Sequence, residues 1–130
     1  MQKAGLGSQE TGLFVDSLLT ADMRGIGSHG ISRLRTYSSR VRSGVVYPEV
    51  TVKRIGGADA LIAVDGQNGI GASIGIQTMD LCIDGAKKHG CCFAAVMNGN
   101  HFGIGAYFTQ HAAKQNMIGI AMSNSEAAVV

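Results

Sequence analysis

A chain of 130 residues, 45% apolar and only 15% charged, suits one domain or a large part of one and excludes a disordered segment. The net charge of +2 is too small to mark a nucleic-acid or membrane partner. Nineteen scattered glycines against one proline point to tight turns and close backbone approaches, not to a linker.

In chain order, the first predicted element is a helix from about Ser8 to Met23. Leu13, Phe14, Val15, Leu18 and Leu19 form its apolar stripe and Ser8 is a candidate N-cap. A glycine-punctuated loop, Arg24 to Gly30, leads to a second helix over Ile31 to Arg42. Ile31, Leu34, Tyr37 and Val41 share a face there, and Gly44 stops it. Arg24, Arg33, Arg35, Arg40 and Arg42 make this stretch locally positive, with no acid among them. Beyond Pro48, Val50 to Ile55 and Leu61 to Val64 read as two strands of a hairpin turning at Gly56-Gly57. Turn residues Asp65 to Gly69 precede a long helix, Ala72 to His89, stopped by Gly90. The continuous apolar run Cys91 to Met97 predicts a buried strand. A loop over Asn98 to Gly103, a helix over Ile104 to Gln115 and another buried strand over Met117 to Ser123 complete a β–α–β–α–β half.

Cys82, Cys91 and Cys92 form no C-x-x-C pair and sit among apolar neighbours, so buried free thiols in a reducing compartment are expected. No apolar run is long enough for a membrane span and no signal peptide precedes the first helix, which makes the cytoplasm the expected location. Both ends read as cut. The chain enters a helical pattern almost at once and finishes on the apolar run Ala127 to Val130, so a longer protein is expected.

Two constellations carry chemistry. In the first, Ser28 and His29 lie where a helix opening at Ile31 has its mouth, and Arg33 and Tyr37 share a face four residues apart. Free N–H groups and a guanidinium both favour an anion such as a carboxylate. The plainer alternative is that Ser28 caps the helix, His29 is solvated and Tyr37 is core. In the second, Asn98-Gly99-Asn100-His101-Phe102-Gly103-Ile104-Gly105 joins a buried strand to a helix, where α/β proteins place ligands. His101 suits a general acid/base because imidazole titrates near neutrality. The alternative is a glycine-rich turn with an incidental histidine. Gly69-Ile70-Gly71-Ala72-Ser73-Ile74-Gly75 imitates a dinucleotide fingerprint, but Ile74 stands where the third glycine belongs. No acid follows Cys91 to Met97 before Glu126, and a Rossmann site is rejected. His89 and His111 read as surface residues, and no Cys/His cluster has metal-ligand spacing, so no metal is expected.

The run Ala21-Asp22-Met23-Arg24-Gly25-Ile26-Gly27-Ser28-His29-Gly30-Ile31-Ser32-Arg33-Leu34-Arg35-Thr36-Tyr37 resembles the signature of the type-2 malate/L-lactate dehydrogenase family, which includes sulfolactate and ureidoglycolate dehydrogenases. Val64-Asp65-Gly66 with Gly69 and Gly71, Asn100-His101-Phe102-Gly103, and Ile118 to Ser125 agree with it in order. The resemblance implies an α/β protein of mixed α+β layers with the non-Rossmann, sulfolactate dehydrogenase-like fold. Residues 1–47 would be a helical substrate-side segment, and 48–130 the first part of a cofactor-binding domain. It implies NAD or NADP as cofactor, a small 2-hydroxy or 2-oxo acid as substrate, hydride transfer between them, and a homodimer when full length. His101 matches the catalytic acid/base of the family, and Ser28, His29, Arg33 and Tyr37 match its substrate-side residues. Phe102, Gly103, Ile104 and Gly105, with Asn124 and Ser125, match its cofactor-contacting segments. The competing reading is a non-catalytic fragment that serves only as a binding or interaction module. An anion- or nucleic-acid-binding domain using the Arg24 to Arg42 stretch ranks below both, since aromatics make up only 5% of the chain and its charge is near balance.

Overall fold

The computed structural model describes residue 1 and residues 5–124. Helix α1 spans Ser8–Met23, and two single-turn 3-10 helices, Gly27–His29 and Ile31–Arg33, lead into α2, Leu34–Arg42. Strands β1 (Lys53–Ala58) and β2 (Leu61–Asp65) precede α3 (Gly71–His89), β3 (Phe93–Met97) and α4 (Gly105–Ala113). The sheet runs β1-β2-β3, with β1 antiparallel and β3 parallel to β2. Strand β3 is reached through α3, the crossover that a parallel pair requires. The order of elements therefore bears out helices followed by a non-Rossmann α/β segment.

One apolar core joins the helices. Phe14, Leu18 and Ala21 of α1 pack with Val41 of α2, Ile76 of α3, and Tyr107 and Phe108 of α4. Gly71 and Gly75 permit the closest approaches. A Cβ on Gly75 would enter the ring of Phe108, and one on Gly71 would overlap the backbone of Asn100, His101 and Phe102. The glycines that imitate a nucleotide fingerprint are thus spent on helix packing.

Several expectations need correction. Ser8 is the first helical residue and not the cap. Gly7 holds the cap position, and no side chain bonds the free N–H groups there. The hairpin does not turn at Gly56-Gly57. Both lie within β1, where the register slips between Arg54 and Gly56, and the chain reverses at Asp59-Ala60. The extra residue of that slip is Ile55, whereas Gly57, paired with Ile62, takes φ +95° beneath the Leu61 carbonyl, where a side chain would not fit. The second helix starts at Leu34, and Ile31, in the preceding 3-10 turn, is exposed. Strand β3 is not buried. It is an edge of the sheet, and Phe93, Val96 and Met97 are exposed. Residues 117–123 form no strand, because no described segment pairs with them. Ile118 is 96% exposed. Cys91 is exposed and Cys82 and Cys92 are half-buried, although all three are free thiols. Burial, together with the neighbouring Cys92, pushes the Cys82 thiol up to about 11. Among the described residues, no helix is long and apolar enough to cross a membrane.

Candidate functional site

The two constellations meet. Tyr37, on the first turn of α2, reaches across the fold, and its phenol oxygen lies 2.5 Å from Nδ1 of His101 in the loop between β3 and α4. The His29 ring stacks on that of His101 with centroids 5.3 Å apart and planes inclined by 23°. The Ser28 hydroxyl lies 2.9 Å from Nδ1 of His29, and the Nε–H of Arg33 donates to the Ser28 carbonyl at 2.7 Å. Ser28, His29, Arg33, Tyr37 and His101 therefore form one connected cluster on an open face, with His29 and Tyr37 half-buried.

Local structure explains each placement. The 3-10 turns fold residues 27–33 back over the end of α1, and the Ile31 N–H donates to the Asp22 carboxylate at 2.8 Å. Asp22 thus occupies the helix mouth where an anion was expected, and Ser28 does not cap it. This bond occupies the Ile31 N–H, and the guanidiniums remain as the charged groups beside it. Tyr37 belongs to the core and to the site at once. Its ring meets Phe14 edge-on at 4.9 Å, and its hydroxyl points at His101. On the far side, Phe102 stacks on Phe108 with centroids 5.0 Å apart, which pegs the residue after His101 to the core.

The electrostatics follow from this packing. Burial lowers the His101 imidazole below its usual range, and the neighbouring His29, Arg33 and Arg40 lower it further. Burial raises the Tyr37 phenol, with Arg33 and Arg40 partly offsetting it. At neutral pH the pair is therefore a neutral imidazole against a protonated phenol, with guanidiniums on both.

Sequence reasoning missed three participants. Arg40 acts on both Tyr37 and His101, and a signal existed, because Arg33, Tyr37 and Arg40 are spaced along one helical face. Asn100 and Asp22 bond main-chain atoms far along the chain, which no local spacing shows. The segment Phe102 to Gly105 adjoins the cluster. Ile104 is buried, Gly105 backs onto Ala121, and Gly103 has φ +84° with open space where a side chain would stand. The N–H groups of these four residues have no acceptor among the described residues. Asn124 is exposed, with one local contact from Ser123 among the described residues, and Ser125 lies outside them. His111 is not free on the surface, since its Nε2 lies 2.6 Å from the Asp80 carboxylate. A cavity of about 420 Å³ between Glu10, Glu49 and Thr51 lies at the start of α1 and includes none of the cluster.

The family described as malate/L-lactate dehydrogenase matches residues 1–130. The malate dehydrogenase of Pyrococcus abyssi is 39% identical over 127 residues, which cover 96% of this chain and 34% of that protein. The L-sulfolactate dehydrogenase of Methanocaldococcus jannaschii is 34% identical over 129 residues, covering 99% of this chain and 38% of that one. The solved malate dehydrogenase of Pyrococcus horikoshii OT3 superimposes with a TM-score of 0.85 at 32% identity, over 88% of this chain and 33% of that one. The chain spans about a third of the length of the relatives it matches.

Proposed function

We propose that this chain, which belongs to the malate/L-lactate dehydrogenase family, supplies the acid/base and substrate-anchoring half of an oxidoreductase that moves hydride between NAD(P) and a small 2-hydroxy acid. The observation that carries the reading is the meeting of Tyr37 and His101 at 2.5 Å within reach of the Arg33 charge.

Arg33 holds the substrate carboxylate, because its Nη atoms have no partner among the described residues while Nε is fixed on Ser28. Nδ1–H of His101 donates to the Tyr37 oxygen, which leaves the Nε2 lone pair free to take the hydroxyl proton of the substrate. As that proton leaves, the C2 hydrogen departs with its electron pair and the carbonyl forms. In the reverse direction the imidazolium returns the proton. Ser28 and His29 orient the proton path beside the His101 ring. The bound nicotinamide supplies the hydride acceptor. The N–H groups of Phe102 to Gly105, which have no acceptor among the described residues, fit a polar group of such a cofactor, and the absence of a Cβ at Gly103 leaves room for close approach. Asn124 and Ser125 are proposed to extend that contact, and the complete subunits to pair as homodimers.

The test is 2-hydroxyacid-dependent reduction of NAD(P) by the complete polypeptide, with His101→Ala as control. Malate and sulfolactate, the compounds named for the relatives above, are the first substrates to try. A binding-module reading has the exposed apolar sheet face of Leu61 and Phe93 in its favour, at 58% and 59% exposure. Thermal stabilisation by NAD(P) favours the enzyme, since a ligand bound to the folded state raises stability by mass action.

A further inference from the structure

We infer that Asn100 is a positioning residue for His101, an inference that rests on the acid/base role assigned to His101 above. Its side-chain amide donates to two main-chain carbonyls, those of Asn68 at 2.9 Å and Gly69 at 3.1 Å. Its oxygen faces Nη2 of Arg40 at 3.5 Å. Both N–H donors and the oxygen of one short side chain are thereby engaged, on the residue directly before the imidazole.

The partners explain why this fixes the ring. The turn that carries Asn68 and Gly69 is itself held. Gly66 N–H donates to the Met97 carbonyl at 2.9 Å, Asn68 N–H to the Asn98 carbonyl at 2.8 Å, and Tyr47 N–H to the Asn68 carbonyl at 2.9 Å. Asn98 in turn donates to the Asp65 carboxylate at 2.9 Å. These bonds lace the start of the 97–101 loop, but only those of Asn100 reach the position next to His101. From below, α3 presses on the same backbone at Gly71. Asn100 thus sets the height of the loop over α3, while its contact with Arg40 joins the loop to the face of α2 that carries Tyr37.

The residue type follows. Aspartate has the shape but no donors, so it would set a carboxylate against two carbonyl oxygens and bring negative charge beside His101. Alanine releases both carbonyls and frees the loop.

The experiment uses the complete polypeptide and two readouts. In Asn100→Ala, kcat should fall about tenfold or more with KM within about threefold, because a shift of an ångström at a reacting group costs far more in turnover than in binding. The His101 imidazole, followed by NMR, should titrate closer to its ordinary value as its burial is lost. Asn100→Asp should raise that titration further through the added charge. If Asn100→Ala fails to fold, Asn100→Ser, which keeps one donor, carries the same measurements. An active wild-type protein, with a variant whose kcat and His101 titration are both unchanged, overturns the inference even if its Tm drops. A wild-type protein inactive towards every 2-hydroxy acid overturns the acid/base reading instead. The NMR titration then still shows whether Asn100 sets the ring.

Discussion

The phenol of Tyr37 and the imidazole of His101 stand 64 residues apart in sequence and 2.5 Å apart in space. The first belongs to a helix rooted in the core through Phe14, the second to a loop pegged by Phe102, and their contact joins the two halves of the site.

Removing the imidazole should cost chemistry and removing the guanidinium should cost binding. In the complete protein His101→Ala is expected to lower kcat about 10²–10⁴-fold, the usual worth of a positioned acid/base. Arg33→Ala should chiefly raise KM. Steady-state kinetics on both variants check the division of labour. Equal, small effects from the two would contradict it.

Acid should switch off oxidation. The folded imidazole binds its proton less readily than a free one, so the base form persists below the ordinary value of 6.5. The acid limb of kcat/KM for oxidation should fall below that value, and reduction, which needs the imidazolium, should gain as pH drops. By linkage, the unfolded state binds this proton more readily, so His101 favours folding above 6.5 and that contribution is lost as pH falls through the folded value. A pH–rate profile with an acid limb above 6.5 would count against the assignment.

Glycines 71 and 75 should fail differently when changed to alanine. Gly75→Ala drives a methyl into the Phe108 ring, and overpacking of this kind costs about 1–3 kcal/mol. Its signature is a lower Tm. Gly71→Ala meets main chain that cannot rotate away, under Asn100, His101 and Phe102. Its signature is a drop in kcat larger than its drop in Tm explains. Thermal melts and kinetics on both variants separate the two.

Asp65 should tie the site to acid stability. Its carboxylate accepts from Asn98 and from the Gln67 N–H, and these bonds hold it below its ordinary value of 3.8. A carboxylate so lowered stabilises the fold above the unfolded value, and the effect is lost as pH falls through the folded one. Asp65→Asn should flatten the acid limb of a denaturation curve followed by circular dichroism. An unchanged limb would remove Asp65 from this role.

Much of this arrangement was legible in the chain. The apolar periodicity of Ser8 to Met23 and of the helix before His89 gave both helices to within a residue, because burial on one face writes itself into spacing. Gly90 marked the end of α3 for an equally local reason, its left-handed φ of +84°. The cluster of Ser28, His29, Arg33, Tyr37 and His101 was named from motif order, whereas their meeting depends on packing that no window of residues contains. Strand character failed where partners decide it. Residues 117–123 are as apolar as a core strand, yet a ladder needs a neighbour, and none lies beside them among the described residues. The Gly56-Gly57 pair misled because glycine serves a close backbone approach inside a strand as readily as a turn.

The two walls of the site are built to different stiffness. His101 sits between a laced turn and a pair of stacked rings that reach into the interior, so it behaves as an anvil. Facing it, residues 27–33 are single helical turns on the surface, hung between Gly25 at φ +75° and the start of α2. If the proposed function holds, adjustment to substrates of different size falls to the Ser28–Arg33 wall, and one small acid can replace another without disturbing His101.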